Sequence, residues 1–132
     1  MFEDIFAHNG WGDSWRGDIY DYLHYHSRIH EVLGVARGHV RVRLGGKRGR
    51  TLTLNAGDAV VIPAGTGHQA VAASRRFMAV GAYPPSGTYD ECGPIAEEHD
   101  RALRTVPKVR RPRADPLFGF SGPLRRLWKA RG

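Results

Sequence analysis

A single cysteine, Cys92, is too few for an internal disulfide, so the fold of this 132-residue chain must rest on a buried core. A lone thiol is compatible with a reducing cytoplasm. Cys92 follows Asp90 and Glu91 and has no cationic neighbour to lower its pKa, which argues against a catalytic thiolate. No run of 18 apolar residues occurs, and no charged-then-apolar leader opens the sequence, so it reads as a soluble, unprocessed cytoplasmic protein. Internal repeats and low-complexity tracts are missing as well. Gly65-Thr66-Gly67 lacks the Lys-Ser/Thr and the helix that a phosphate loop needs, and serves a tight turn instead.

The net charge of +7 is unevenly placed. Residues 1–100 carry ten Lys/Arg against twelve Asp/Glu, whereas residues 101–132 carry ten against Asp115 alone. A basic block of this kind is either a nucleic-acid or membrane-surface arm or a solvated extension whose stems cover the folded part. The same segment holds Leu117, Phe118, Phe120, Leu124, Leu127 and Trp128, more apolar anchors than a disordered arm needs. Docking on the rest of the chain or on a partner subunit is therefore favoured over a nucleic-acid arm.

Hydrophobic periodicity gives a mostly β chain. Phe2, Ile5 and Phe6 recur at helical spacing and Asn9-Gly10 stops the run, so residues 2–8 form a short helix. From Trp15 the period becomes two, with Tyr20, Tyr22, His24 and His26 on one face of a strand and Ile19, Asp21, Leu23 and Tyr25 on the other. Glu31, Leu33 and Val35 form the next set. Val40, Val42 and Leu44 alternate with Arg41 and Arg43 as a half-exposed strand. A glycine turn at 45–49 leads to a return strand over 51–54, and 59–62 reads as a continuous apolar strand that should be buried. Strands over 69–73 and 77–83 complete a sandwich or barrel. Residues 94–105 form one longer helix, with Pro94 in its first turn, Glu97 and Glu98 near its start and Arg101 and Arg104 near its end. Residues 107–123, with four prolines, are an extended wrap.

Three histidines and one carboxylate stand out as a metal-ligand set: His24, His26, Glu31 and His68. Side chains at i and i+2 of a strand share a face, so His24 and His26 project together. A donor set of this kind suits an octahedral divalent ion with two positions left for water or substrate; Fe, Mn, Ni, Co and Zn all qualify. Glu31 has a rival in His30, and neighbours on a strand face opposite ways, so only one of the two reaches the ion. His30 then packs under the sheet. Tyr20 and Tyr22 share the ligand face and, with Leu33, are candidates to line a pocket. Tyr83 is a further phenolic candidate. Arg37 on the Glu31 alternation is a rim residue, most simply solvent-exposed, and His8, His39 and His99 are surface or turn residues.

The two segments, His24-Tyr25-His26 through Glu31 to Gly38 and Gly57 through Pro63-Ala64-Gly65 to His68, resemble the paired signature motifs of the cupin superfamily (RmlC-like), H-x-H-(x)3-4-E-(x)6-G and G-(x)5-P-x-G-x-x-H. Six residues from Glu31 to Gly38 select the glutamate over His30. HYHSRIHEVLGVARG at 24–38, PAGTGH at 63–68, GAYPP at 81–85 and FGFSGPLRRLW at 118–128 are similar to the small bacterial YjlB-type cupins, a likeness covering residues 6–128. Two positions depart from the superfamily pattern: Asp18 stands where the first motif usually opens with Gly, and Ala72 where the second often ends in Asn. Relatives of this type commonly carry more chain before Phe2. The sequence is thus either a short form or one that starts at a late methionine, and an edge strand used for dimerisation would be lost in either case.

The resemblance implies an all-β cupin double-stranded β-helix, a jelly-roll barrel, in a single domain over 1–132. The barrel core would run over about 14–84, the C-terminal helix over 94–105 and a wrapping tail over 107–132. It further implies a homodimer with an isologous interface and a divalent-metal site of His24, His26, Glu31 and His68 at the barrel mouth. Function then divides three ways: a metal-dependent dioxygenase, isomerase or decarboxylase; a non-catalytic module binding a small molecule; or a scaffold whose basic tail is an interaction arm. The intact ligand set argues against the third. The substrate is not legible in the residues.

Overall fold

The computed structural model describes residues 1–85 and 87–128. Its alternating apolar segments form seven strands in two antiparallel sheets. One sheet runs β1 (Gly12–Gly17), β7 (Met78–Tyr83), β2 (Glu31–Arg37), β5 (Ala59–Ile62) in that order across the sheet, and the other runs β4 (Arg50–Asn55), β3 (His39–Leu44), β6 (His68–Ala73). The chain changes sheet between β2 and β3, between β4 and β5, and at each of the next two connections, which wraps the two sheets into a jelly-roll barrel. Gly38, with φ of +76°, makes the first crossing. Among the described residues no helix is long and apolar enough to cross a membrane.

The period-two pattern predicts which faces meet. Leu33, Val35, Ile62 and Ala79 of the first sheet pack on Val40, Val42 and Leu54 of the second, with Ile19 and Phe77 closing the interior. The outer face of the first sheet is also dry: Val32, Val80 and Ala82 lie under Phe2, Phe6 and Trp11. Helix α1 (Phe2–His8) supplies that cover, its two phenyl rings stacked 5.4 Å apart. A methyl group at Gly34 would lie 2.8 Å from the Phe2 ring, so the glycine is what lets the helix sit down on β2. β2 and β7 are consequently buried on both faces and read as apolar runs rather than alternations.

The structure corrects four expectations. Residues 20–26 are not a regular strand: two isolated bridges, His24 to His68 and Tyr25 to Cys92, and single backbone bonds from Ala70 N–H to Tyr20 O and from Gly65 N–H to His26 O tie them to neighbours. Bends at Asp21 and Tyr22 interrupt the run, so no continuous ladder forms. In β5, Ile62 is buried while Ala59, Val60 and Val61 stay half-buried, because β5 is an edge strand. Helix α2 (Ala96–Thr105) is capped by Ile95, so Pro94 precedes the helix instead of sitting in its first turn; Glu97, Glu98 and Arg104 occupy the expected ends. The tail is more structured than an extended wrap and ends in a short helix, α3 (Pro123–Leu127).

The tail docks, but through different residues from those its hydropathy suggests. Phe118, Phe120 and Leu127 are 63%, 79% and 80% exposed. Pro112, Asp115 and Pro116 are buried instead, and Leu117 packs against the outer apolar layer. Backbone carbonyls make the attachment: Trp11 Nε1 donates to Ala114 O (3.0 Å), Asn9 Nδ2 to Pro116 O (2.8 Å) and His30 Nε2 to Arg110 O (2.9 Å). The Asp115 carboxylate organises the turn itself, accepting from the N–H groups of Leu117 (2.8 Å), Phe118 (3.2 Å) and Leu124 (3.1 Å).

Truncation before Pro107 strands two buried donors on the barrel, Trp11 Nε1 and His30 Nε2, each worth about 1–3 kcal/mol when left unpaired, out of a typical total of roughly 5–15 kcal/mol, and uncovers the apolar layer under Leu117. A large drop in melting temperature or loss of soluble protein is expected. Asp115→Ala should cost about 2–4 kcal/mol through its charge-assisted bonds, whereas Phe120→Ala should stay within about 0.5 kcal/mol. Urea unfolding of the two point variants checks the assignment; equal losses would restore the aromatic anchors.

Candidate metal centre

His68 opens β6, and two backbone bonds tie it to His24: His24 N–H to His68 O at 3.2 Å and His68 N–H to His24 O at 2.8 Å. That bridge sets the two imidazoles side by side, ring centroids 4.0 Å apart. His26 follows on the same side, 5.6 Å from the His24 ring and 5.4 Å from the His68 ring. Tyr25 between them bonds through its backbone to Cys92 instead. One ring nitrogen from each histidine lies within 4.8 Å of the others, close enough to hold one ion. Glu31 reaches the cluster from the first residue of β2 in the other sheet, its Oε1 lying 3.3 Å from Nε2 of both His26 and His68.

The outward nitrogens fix the tautomers. Nδ1 of His24, His26 and His68 faces the carbonyls of Tyr22 (3.2 Å), Asp90 (2.6 Å) and Thr66 (3.1 Å). A carbonyl only accepts, so each Nδ1 carries a proton and each Nε2 turns a lone pair inward. With the rings neutral, the centre is thus lined by three inward nitrogens and a carboxylate, all buried, and a contact of Nε2 of His26 or His68 with Glu31 becomes a hydrogen bond only when that ring is protonated. Burial, reinforced by the neighbouring His68, pulls the pKa of His24 down to about 4 and keeps it neutral. Burial presses on His26 in the same direction but is outweighed by its bond to Glu31, the Glu31 charge and the Asp90 carbonyl, which together raise its pKa. Burial would raise the pKa of Glu31; the bonds from His26 and His68 overcome it and hold the carboxyl at about 2. A proton taken up by His26 would turn its contact with Glu31 into a hydrogen bond, in keeping with the raised pKa.

The other carboxylate oxygen is held from β1. Trp15 Nε1 lies 3.3 Å from Glu31 Oε2 and 3.1 Å from the Tyr83 hydroxyl. Strand register explains the meeting. Trp15 pairs with Gly81 of β7, Gly81 with Leu33 of β2, and Val32 with Ala82, so Trp15, Tyr83 and Glu31 share the inner face. A bulge between Gly12 and Trp15, with Asp13 at φ of +51°, sets that register. A side chain at Gly81 would overlap the indole, so the glycine makes room for the tryptophan.

A cavity of about 790 Å³ opens over the cluster. Tyr20 and Leu33 line it, together with Tyr83 and Tyr89. Tyr22 does not: it is about half exposed and its ring stacks on Tyr20 at 4.8 Å. His30 points away from the cluster with both ring nitrogens engaged, Nε2 donating to Arg110 O and Nδ1 accepting from Ala64 N–H at 2.8 Å, so neither is free for an ion. His8, His39, His99 and Arg37 are exposed.

Sequence reasoning missed three contributors. Trp15 and Asp90 carry no motif and reach the site from 16 and 64 residues away from their partners Glu31 and His26. The Asp90 carboxylate also accepts from the backbone of Ser27 (2.9 Å) and Arg28 (3.2 Å), clamping the loop that follows His26. The Tyr89 ring lies against His26, tilted, with ring centroids 5.2 Å apart. For Trp15 a signal was present: an aromatic at the start of the alternation, and a glycine, Gly81, in an otherwise apolar run that forms the neighbouring strand.

A family model described as Cupin domain matches residues 15–80. An uncharacterized protein, YjlB, of Bacillus subtilis (strain 168) is 38% identical over 128 residues, 97% of this chain and 78% of its own length. Among solved structures, an uncharacterized conserved protein with a double-stranded β-helix domain from Klebsiella pneumoniae superposes on 60% of this chain and 69% of its own, with a TM-score of 0.48 and 21% identity. Acireductone dioxygenase from Bacillus anthracis, with a cadmium ion in its active centre, covers 67% of this chain and 61% of its own at a TM-score of 0.46 and 17% identity. The family match and the long, 38% identical relative agree with the strand order described above, and this chain belongs to the cupin family.

Proposed function

We propose that His24, His26, His68 and Glu31 hold one divalent transition-metal ion, and that the cavity brings a small molecule onto its open positions. The observation that carries this reading is the donor set: three inward lone pairs and a carboxylate converge in a buried space, and a set of pure acceptors needs a cation at its centre. Imidazole with carboxylate suits Fe, Mn, Ni, Co or Zn. Such an ion, when bound, supplies Lewis-acid polarisation and a place for oxygen or substrate to coordinate.

Tyr83 and Tyr89 orient a ligand rather than take up its protons. Burial, joined by the Glu31 charge, pushes the Tyr83 phenol far above its usual range, and burial with Glu91 does the same for Tyr89. Both stay protonated at neutral pH, able to donate to a ligand but not to act as bases. Outside the four proposed ligands and the two tyrosines, the titratable side chains among the described residues that line the cavity are Asp13, Asp18 and Tyr20, with no further histidine and no lysine or cysteine. A reaction here would run at the ion, in the manner of a dioxygenase, isomerase or decarboxylase. The same scarcity of acid–base groups supports a second reading, a metal-site module that binds its small molecule without turning it over. An oxygen-consumption and turnover screen on metal-loaded protein separates the two.

Elemental analysis of untagged protein should find about one transition-metal ion per chain. His26→Ala and His68→Ala should each lose most of it and His99→Ala none; stoichiometric metal in the His24/His26/His68 triple alanine variant would sink the proposal. An entering ion must displace the proton on His26, whose pKa is raised. Apparent affinity should therefore fall as pH drops through the neutral range, by about tenfold per unit for one displaced proton. His24, neutral down to about 4, adds no competition above that pH. Dye-competition titrations at three pH values check the slope, and a flat profile would show that His26 is not a ligand.

Trp15→Phe keeps the ring over Gly81 but removes the donor to Glu31. Loss of such an orienting bond typically costs 10–100-fold in metal affinity, and we expect about tenfold with little change in melting temperature of the metal-free protein. Unchanged affinity would reduce Trp15 to packing.

A further inference from the structure

Beside the metal cavity lies a second concavity of about 400 Å³, lined by Arg28, Thr88, Lys108 and Arg110 among others. Gly87 lines both spaces. The divide between them is thin: Ile29 faces the cavity and Arg28 the groove, and a side chain at Gly87 would meet Arg28 O at 2.8 Å and Ile29 at 3.1 Å. The two spaces have opposite electrostatics. The cavity's charged lining is Glu31 with Asp13 and Asp18, and no Lys or Arg is among its described residues. The groove's lining includes Arg28, Lys108 and Arg110 with Thr88 and Thr105, and no carboxylate is among its described residues.

The groove is fixed, not incidental. Arg110 is pinned through its carbonyl by the buried His30, and a turn closed by Val109 N–H to Val106 O presents Lys108 beside it. Arg28 is held by its backbone N–H on Asp90, whose carboxylate also takes Ser27 and is thereby committed. No ion pair joins Arg28, Lys108 or Arg110 to a carboxylate among the described residues. Three like charges around one concavity, each without a counter-ion, form a site for an anion with several acceptor oxygens.

We infer that this groove binds the phosphate-class end of a small molecule whose uncharged remainder passes over Gly87 into the metal cavity. The groove half stands on its own residues; the reach into the cavity rests on the metal-site reading above. A tetrahedral dianion matches three cationic side chains better than a single carboxylate does, and the tyrosine-lined cavity suits a neutral head. Part of the tail's excess positive charge thereby acquires a role that is neither an arm nor mere solvation.

The test uses the full chain, metal-free, titrated with inorganic phosphate and separately with acetate, and followed by backbone amide chemical shifts. Saturable shifts at Gly87, Thr88 and Lys108 are expected with phosphate, several-fold stronger than with acetate. Arg28→Ala/Lys108→Ala should weaken phosphate binding about tenfold or more, while Arg75→Ala/Arg76→Ala should leave it unchanged. Absent or non-saturable shifts, shifts confined to the histidine cluster, or equal affinity in the two double variants would overturn the groove. Tight, steeply salt-dependent binding of duplex DNA, lost in Arg28→Ala/Lys108→Ala, would overturn the small-molecule assignment in favour of a polyanion. Because metal content is measured apart, a failed phosphate titration with a full complement of metal counts against the groove alone.

Discussion

Glu31 is charged and only 3% exposed, and much of the barrel serves to keep it so. An isolated carboxylate in such a place costs several kcal/mol. Here Oε1 meets His26 and His68, and Oε2 meets Trp15. Those partners come from the loop before β2, from β6 in the opposite sheet, and from β1. No local segment could supply them. The carboxylate is stable only when both sheets have closed, so folding the barrel and assembling the centre are one event. The bulge in β1 and Gly81 in β7 belong to the same requirement, since without either the indole could not lie across the sheet toward Glu31.

Keeping lone pairs inward requires an equally deliberate outer layer. Each histidine gives its Nδ1 proton to a backbone carbonyl, and a carbonyl cannot titrate or rotate away as a side chain can. Two of the three carbonyls sit two residues from the histidine they serve, at Tyr22 and Thr66, so they come with the local turn. The third, Asp90, is brought by the segment after β7, and its side chain grips Ser27 and Arg28 at the same time. One residue thus sets both the His26 tautomer and the backbone that carries Arg28 to the groove.

Much of this was legible in the residues, for identifiable reasons. The helix over 2–8 and most strand positions followed from period, most clearly in β3, where Val40 and Val42 are buried between exposed His39 and Arg41 and a slip of one residue would invert them. His24, His26, Glu31 and His68 are brought together as their spacing suggested, and His30 turns the other way. Periodicity erred where burial and pairing part company. Residues 20–26 have the alternation of a strand but share their backbone bonds between β6 and Cys92. Ala59–Ile62 has the hydropathy of a central strand but lies at an edge. In the tail, hydropathy pointed to Phe118, Phe120 and Leu127, while the attachment runs through main-chain carbonyls and Asp115, which no hydropathy scale can see. Trp15 and Asp90 act across strand pairings that only the closed barrel creates.

His30 and Glu31 bring these threads together. As neighbours at the start of β2 they point to opposite faces. Glu31 turns inward to the histidine cluster, and His30 turns outward to accept from Ala64 and donate to Arg110. Burial lowers the pKa of His30, partly offset by the Arg110 carbonyl, so it stays neutral and keeps its acceptor nitrogen for Ala64. The Pro63–Gly65 turn that precedes His68 is therefore braced on the same imidazole that anchors the tail. A displacement of Arg110 in the groove would act on His30, and through one peptide unit on the carboxylate in the centre. The tail, the turn before His68 and the buried charge are thus held by a single dipeptide, which gives the basic segment a structural reason to be part of the barrel rather than an appendage to it.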